Sequence, residues 1–162
     1  MRRYQEPVYR VAWLILRDSE MAEKATRSTL VRAFRALPEM EDDVGLLPWL
    51  IRIAAGEARQ QRRESGRPTN SDRPVERQAG PHLPATVIPG LAGAYELTPL
   101  ERQALTEAFD RLGEEDRLVI AARYLFGLSR VDAANALSIA TGVVDEQLSG
   151  AVTRLRSRMS LA

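Results

Sequence analysis

The sequence predicts an all-α protein of two small helical domains joined by a flexible linker, the second domain containing a helix-turn-helix. Three observations carry this. Apolar residues recur at helical spacing at both ends of the 162-residue chain. Five of the nine prolines (Pro68, Pro74, Pro81, Pro84 and Pro89) gather with Gly66, Gly80, Gly90 and Gly93 between Ser65 and Leu97, where no helical period survives. Residues 127–158, GLSRVDAANALSIATGVVDEQLSGAVTRLRSR, set two helical patterns around a tight break. The expected domains are therefore residues 1–64 and 98–162, with residues 65–97 as the linker, since so long a structureless stretch is unusual inside one compact domain.

From Glu6 to Arg17, Val8, Val11, Ala12 and Ile15 fall at i, i+3, i+4 and i+7, and Pro7 suits a first helical turn. Asp18 and Ser19 break this helix. A second one follows, with Ala22, Ala25, Thr26, Thr29, Leu30, Ala33, Phe34 and Leu37 marking its apolar face before Pro38 stops it. After the acidic loop EMEDD a third helix runs from about Leu46 to Arg63, with Leu46, Leu50, Ile53, Ala54 and Ala58 on one face. Beyond the linker, Thr98-Pro99-Leu100-Glu101 is a capping box with Pro at the first helical position. The helix it opens carries Leu105, Ala108, Phe109 and Leu112 inward and ends at Gly113; Leu118, Ala121, Ala122 and Leu125 mark the next, stopped at Gly127.

In the final stretch Ser129 caps a short helix, Arg130 to Leu137, through Asp132 three residues on. Ser138 to Thr141 form the turn, and Val144, Leu148, Ala151, Val152 and Leu155 give the last helix its inward face. A pair of this kind lays its second helix into a DNA major groove.

Composition narrows the function. With no cysteine and a single histidine, His82 in the Pro-rich stretch, the chain has little material for hydrolase or metal chemistry, so the expectation is a protein that is not an enzyme, with no metal, no cofactor and no small-molecule substrate. No apolar run is long enough to cross a bilayer, which predicts no membrane insertion and a cytoplasmic location. The net charge of +1 gives no global signal for nucleic acid, leaving local charge to carry any such claim.

The helix-turn-helix residues, with Gly-Leu-Ser at 127–129, the alanine pair, the Leu-Ser-Ile turn, Gly142-Val143 and Arg154-Leu155-Arg156, resemble the promoter-binding domain of extracytoplasmic-function sigma factors. In the N-terminal half YRVAWLILRDSEMAE, TLVRAFRALP and LPWLIRIAAGEARQQRR resemble, in order and spacing, the same family's polymerase-binding and promoter-melting helices. The resemblance implies that the chain binds RNA polymerase core and promoter DNA and directs transcription initiation, with an anti-sigma factor as a further partner. It implies core binding by the second helix, at Glu20, Glu23, Lys24, Arg27 and Ser28. It places promoter-melting contacts on the third, at Trp49, Arg52, Gly56, Arg59, Arg62 and Arg63, with Trp49 read rather as a core residue than as a base platform. It places groove contacts at Ser129, Thr141, Val143, Asp145, Glu146, Gln147 and Arg154.

Several of these positions depart from the family's pattern. Lys24, Arg27 and Ser28 stand where acidic and glutamine side chains meet a basic coiled coil of the polymerase, Gly56 stands where the family usually has Asn, and Asp145 and Glu146 bring carboxylates toward a phosphate-lined groove. A second reading therefore stays open: a sigma-like interaction protein that binds an anti-sigma factor or polymerase without reading promoters. A stand-alone helix-turn-helix repressor would leave residues 4–63 unexplained.

Overall fold

A computed structural model describes residues 2–40, 45–66 and 98–160. The expected linker, apart from Ser65 and Gly66, lies outside the described residues, as do His82 and the acidic residues 41–43. Every regular element among the described residues is helical: α1 (Arg2–Leu16), α2 (Ser19–Ala36), α3 (Leu46–Glu64), α4 (Pro99–Asp110), α5 (Glu114–Ile120), α6 (Arg130–Leu137) and α7 (Thr141–Ser160). A 3-10 turn, Leu37–Glu39, follows α2, and a π-helical turn, Ala121–Leu125, follows α5.

Helices α1, α2 and α3 pack on one another around Val8, Val11, Ala12, Ala22, Ala25, Leu50, Ile51 and Ala54, all buried. The helical spacing of these residues makes each helix one-sided, and burying that side stabilises the bundle. Helix α1 begins earlier than the sequence predicts, so Pro7 sits inside it rather than in its first turn. The carbonyl that loses its donor is that of Arg3, an exposed residue in the first turn of α1. The break at residues 18–19 is a cap: Asp18 accepts a hydrogen bond from the Met21 N–H at 3.0 Å. Thr26 and Thr29 are buried among the alanines because their hydroxyls donate back to the carbonyls of Ala22 and Ala25, each at 2.7 Å. Phe34 and Leu37 correct the expected apolar face of α2, being 66% and 45% exposed. The inner side is filled by Ala22, Ala25, Thr26, Thr29 and Ala33 instead.

The second part opens as its sequence predicts. Thr98 and Glu101 form both halves of the capping box, and Pro99 takes the first helical position. Gly113 does not end α4, which stops at Asp110; it precedes α5 at the N-cap. The expected single helix through Leu125 widens into the π-helical turn, where Phe126 N–H reaches back five residues to the Ala121 carbonyl at 2.8 Å. Gly127, at φ +62°, then turns the chain into α6. Phe109, Leu112, Val119, Val144, Ala151 and Leu155 close this core.

The two parts meet directly. Helix α3 lies along α6, and α1 touches α5. Both helices carry small buried residues, Ala54, Ala55 and Ala58 on α3 and Ala133, Ala134 and Ala136 on α6. Arg117, 6% exposed, donates to the carbonyl of Leu112 in its own part and to that of Leu14 in the other, the latter at 3.1 Å. Burial and the neighbouring Arg17 cation lower the Arg117 pKa to about 10, which leaves it charged at neutral pH. Arg17 itself adopts φ +54° at the end of α1, stacks over Trp13 at 4.1 Å from the ring centre, and pairs with Asp110 at 2.8 Å.

Candidate nucleic-acid and partner interfaces

The expected promoter-melting helix, α3, shows a basic face only in part. Arg52 and Arg63 are exposed, and Gly56 lies between them with open space where a side chain would be. Trp49 is buried in the bundle, because its ring fills the corner where α3 begins, and it offers no surface to a base in this arrangement. Arg59 and Arg62 are turned away from solution by a carboxylate of the other part: both bind Glu114 at the start of α5, Arg59 at 2.9 Å. Burial alone would raise the Glu114 pKa, but the hydrogen bonds and charges of Arg62 and Arg59 outweigh it and hold the carboxyl below its usual range. These two of the expected phosphate contacts are therefore ligands of a protein carboxylate.

The helix-turn-helix forms as read, with α6 ending at Leu137 and Ser138 in the left-handed region, φ +57°. Ser129 is engaged as the N-cap, accepting from the Asp132 N–H at 3.1 Å and donating to its carboxylate at 2.7 Å. Val144, Ala151 and Leu155 point inward, which presents Thr141, Asp145 and Glu146 to solvent. Val143, Gln147 and Gly150 are half-buried, so less of this helix faces out than its sequence spacing implies. Two ion pairs shape the face. Arg130, from α6, pairs with Asp145 at 2.6 Å, bringing a cation over a helix start that carries none of its own. Arg154 makes two bonds of 2.6 Å to Asp116 on α5, its guanidinium lying 3.1 Å from where a side chain on Gly150 would begin. The absent side chain at Gly150 is what lets Arg154 lie back.

On α2, Glu20, Glu23, Lys24 and Arg27 are all exposed and Ser28 is half-buried, so the expected core-binding residues do form one outward surface. Arg27 reaches Glu23 only loosely, at 4.0 Å.

Residues 1–67 match the family model for sigma-70 region 2. That match covers the first part of the chain, helices α1 to α3. Two solved structures share the fold of this chain over nearly its full length. The sigma factor RpoE, in complex with the anti-sigma factor NepR from Bartonella quintana, is 22% identical with a TM-score of 0.71, the match covering 97% of this chain and 92% of that one. CnrH, in complex with the cytosolic domain of CnrY, is 19% identical with a TM-score of 0.66, covering 99% of this chain and 84% of that one. Comparison with curated protein sequences gave no significant match. The ion pairs to Glu114 and Asp116 are features that no spacing in the sequence announces. No described helix is long and apolar enough to cross a membrane.

Proposed function

We propose that this chain is a transcription initiation factor of the extracytoplasmic-function type, binding RNA polymerase core through α2 and promoter DNA through α3 and α7. The observation that carries the reading is the sigma-70 region 2 match over residues 1–67 together with a helix-turn-helix in its own part of the chain. In this reading residues 65–97 are the tether between two domains, and Arg52 and Arg63 hold phosphates of the opened promoter while Arg130 and Thr141 approach the groove. Arg59, Arg62 and Arg154 join them once Glu114 and Asp116 let go. The test is run-off transcription with purified core polymerase on a library of promoter fragments: discrete transcripts that depend on the chain support the reading, and none on any template oppose it.

A specific observation favours the second reading, an interaction protein that no longer reads promoters. The outward face of α7 near its start carries Asp145 and Glu146, and Arg130 is neutralised by the first of them. The readings separate on Asp145→Asn, which removes a carboxylate from the groove face and releases Arg130. Duplex binding then tightens and the slope of log K against log salt steepens by roughly 0.9, one phosphate's worth, in a salt titration. If the exchange instead abolishes tight, sequence-selective binding, Asp145 reads a base and the interaction-protein reading fails.

A further inference from the structure

The far end of α2 carries an apolar row beyond the expected core-binding residues, of which Arg27 and Ser28 border it. Val31, Phe34 and Leu37 are 52%, 66% and 45% exposed and follow one another along the helix and the turn after it. Beside them runs a shallow groove of about 660 Å³, bordered by Arg27, Val31, Arg35 and Glu39. Cations crowd its margin. Arg35 makes no ion pair among the described residues, Arg27 makes only the 4.0 Å contact with Glu23, and Arg32 is held at 2.6 Å by Glu57 of α3; Lys24, also without an ion pair among those residues, lies about one turn before Arg27. Glu39 is the acidic exception.

We propose that this end of α2 is a docking site for an acidic amphipathic helix of a partner protein. The apolar stripe spans about two helical turns, roughly 9 Å at 1.5 Å per residue, which matches anchors spaced i, i+3 or i+4 and i+7 on a second helix laid alongside. The margin determines the partner's charge: Arg27 and Arg35, with Lys24 before them, complement Asp or Glu flanking those anchors and repel a basic helix. Nucleic acid fits less well. Phosphates gain nothing from an exposed Val–Phe–Leu row, and one phenylalanine among aliphatics is no ladder of stacking platforms. The proposal rests on the reading of α2 as a partner-binding helix and adds a division of labour along it, with Glu20 and Glu23 at one end and the basic, apolar surface at the other.

The test uses the full-length chain and three fluorescent peptides of one length: an acidic amphipathic helix with a Leu/Phe face, the same peptide with that face changed to Ser, and its Lys/Arg-flanked counterpart. A labelled 20-base-pair duplex serves as a fourth probe. Anisotropy should show the acidic amphipathic peptide binding most tightly, with Phe34→Ser weakening it at least tenfold, the size expected of an anchor side chain, and Arg35→Glu at least fivefold. Both positions are exposed, and thermal melts establish that the variants fold. Core polymerase binding is measured on the same variants. Retained core binding with lost peptide binding supports the division along α2; equal loss of both overturns it. Failure of every variant and the parent to bind core counts against the sigma reading alone, because the peptide measurement stands by itself. Preference for the basic peptide, or loss of duplex binding without loss of peptide binding on Arg35→Glu, overturns the proposal in favour of a basic partner or of DNA.

Discussion

Arg117→Ala lowers the stability of the folded chain by about 3 to 4 kcal/mol, the largest loss expected of any single exchange of a charged residue described here. Its guanidinium donates to two carbonyls, Leu112 O and Leu14 O, and is almost wholly buried. Each hydrogen bond to a charged donor contributes about 1.5 to 3 kcal/mol, and the truncation leaves both acceptors without it. Arg117→Met keeps most of the aliphatic stem and separates packing from polar satisfaction: it should recover about 1 kcal/mol of the loss and no more. Urea denaturation of the three proteins measures this through the midpoint at constant slope. A shift below about 1 kcal/mol for Arg117→Ala would mean that water replaces the guanidinium at both carbonyls, and that Arg117 does not hold α5 to α1.

Glu114→Ala, by contrast, acts on DNA. It frees Arg59 and Arg62, which lie on the helix assigned to promoter contact, so duplex binding tightens and its salt dependence steepens. Two more phosphates at about 0.9 each add up to 1.8 to the slope, so the ratio of variant to parent affinity changes about tenfold between 50 and 200 mM salt. Glu115→Ala is the control, because it removes the same charge from an exposed position one residue away in the first turn of α5. If both exchanges act equally, the gain is one of net charge and the Glu114 contacts carry no special role. Acid provides a second handle. The Glu114 carboxyl titrates below the usual range in the folded chain, so its contribution to closure is complete above that range and is lost as pH falls through its own lowered value. Closure therefore weakens only in acid, well below neutral pH.

Local signals along the chain mark the helices reliably and the contacts between them hardly at all. The caps at Thr98 and Ser129 and the limits of α6 depend on residues three apart, which a sequence displays. Asp18 was visible as a break but not as a cap, since a lone Asp between two helices reads either way. A 3.6-residue period puts Phe34 inside because it marks a face and not which residues at its border win the space; Thr29 and Ala33 take it. The expected DNA contacts fared unevenly for a related reason. Arg52, Thr141, Asp145 and Glu146 are exposed as foreseen, yet Arg59, Arg62 and Arg154 are bound by Glu114 and Asp116 across 38 to 55 residues of chain, and no period or motif connects such partners. The acidic run 114–116 also lies in the first turn of α5, where the helix dipole favours carboxylates.

Among the described residues, the ion pairs between the two parts consist of arginines and carboxylates, including Arg17 with Asp110 and Arg59 and Arg62 with Glu114, and contain neither histidine nor cysteine. Such a closure has no chemical trigger of the histidine or thiol kind near neutral pH. What remains is mass action. To carry the molecule from 99% closed to 99% open, a partner must favour the open form about ten-thousandfold, or about 5.5 kcal/mol. That is under half of the roughly 12 kcal/mol in a nanomolar complex, leaving enough for net binding. A protein opposing it has only to prefer the closed form by as much to cancel the effect, so the occupancy of this molecule by one partner or the other is set by their relative concentrations.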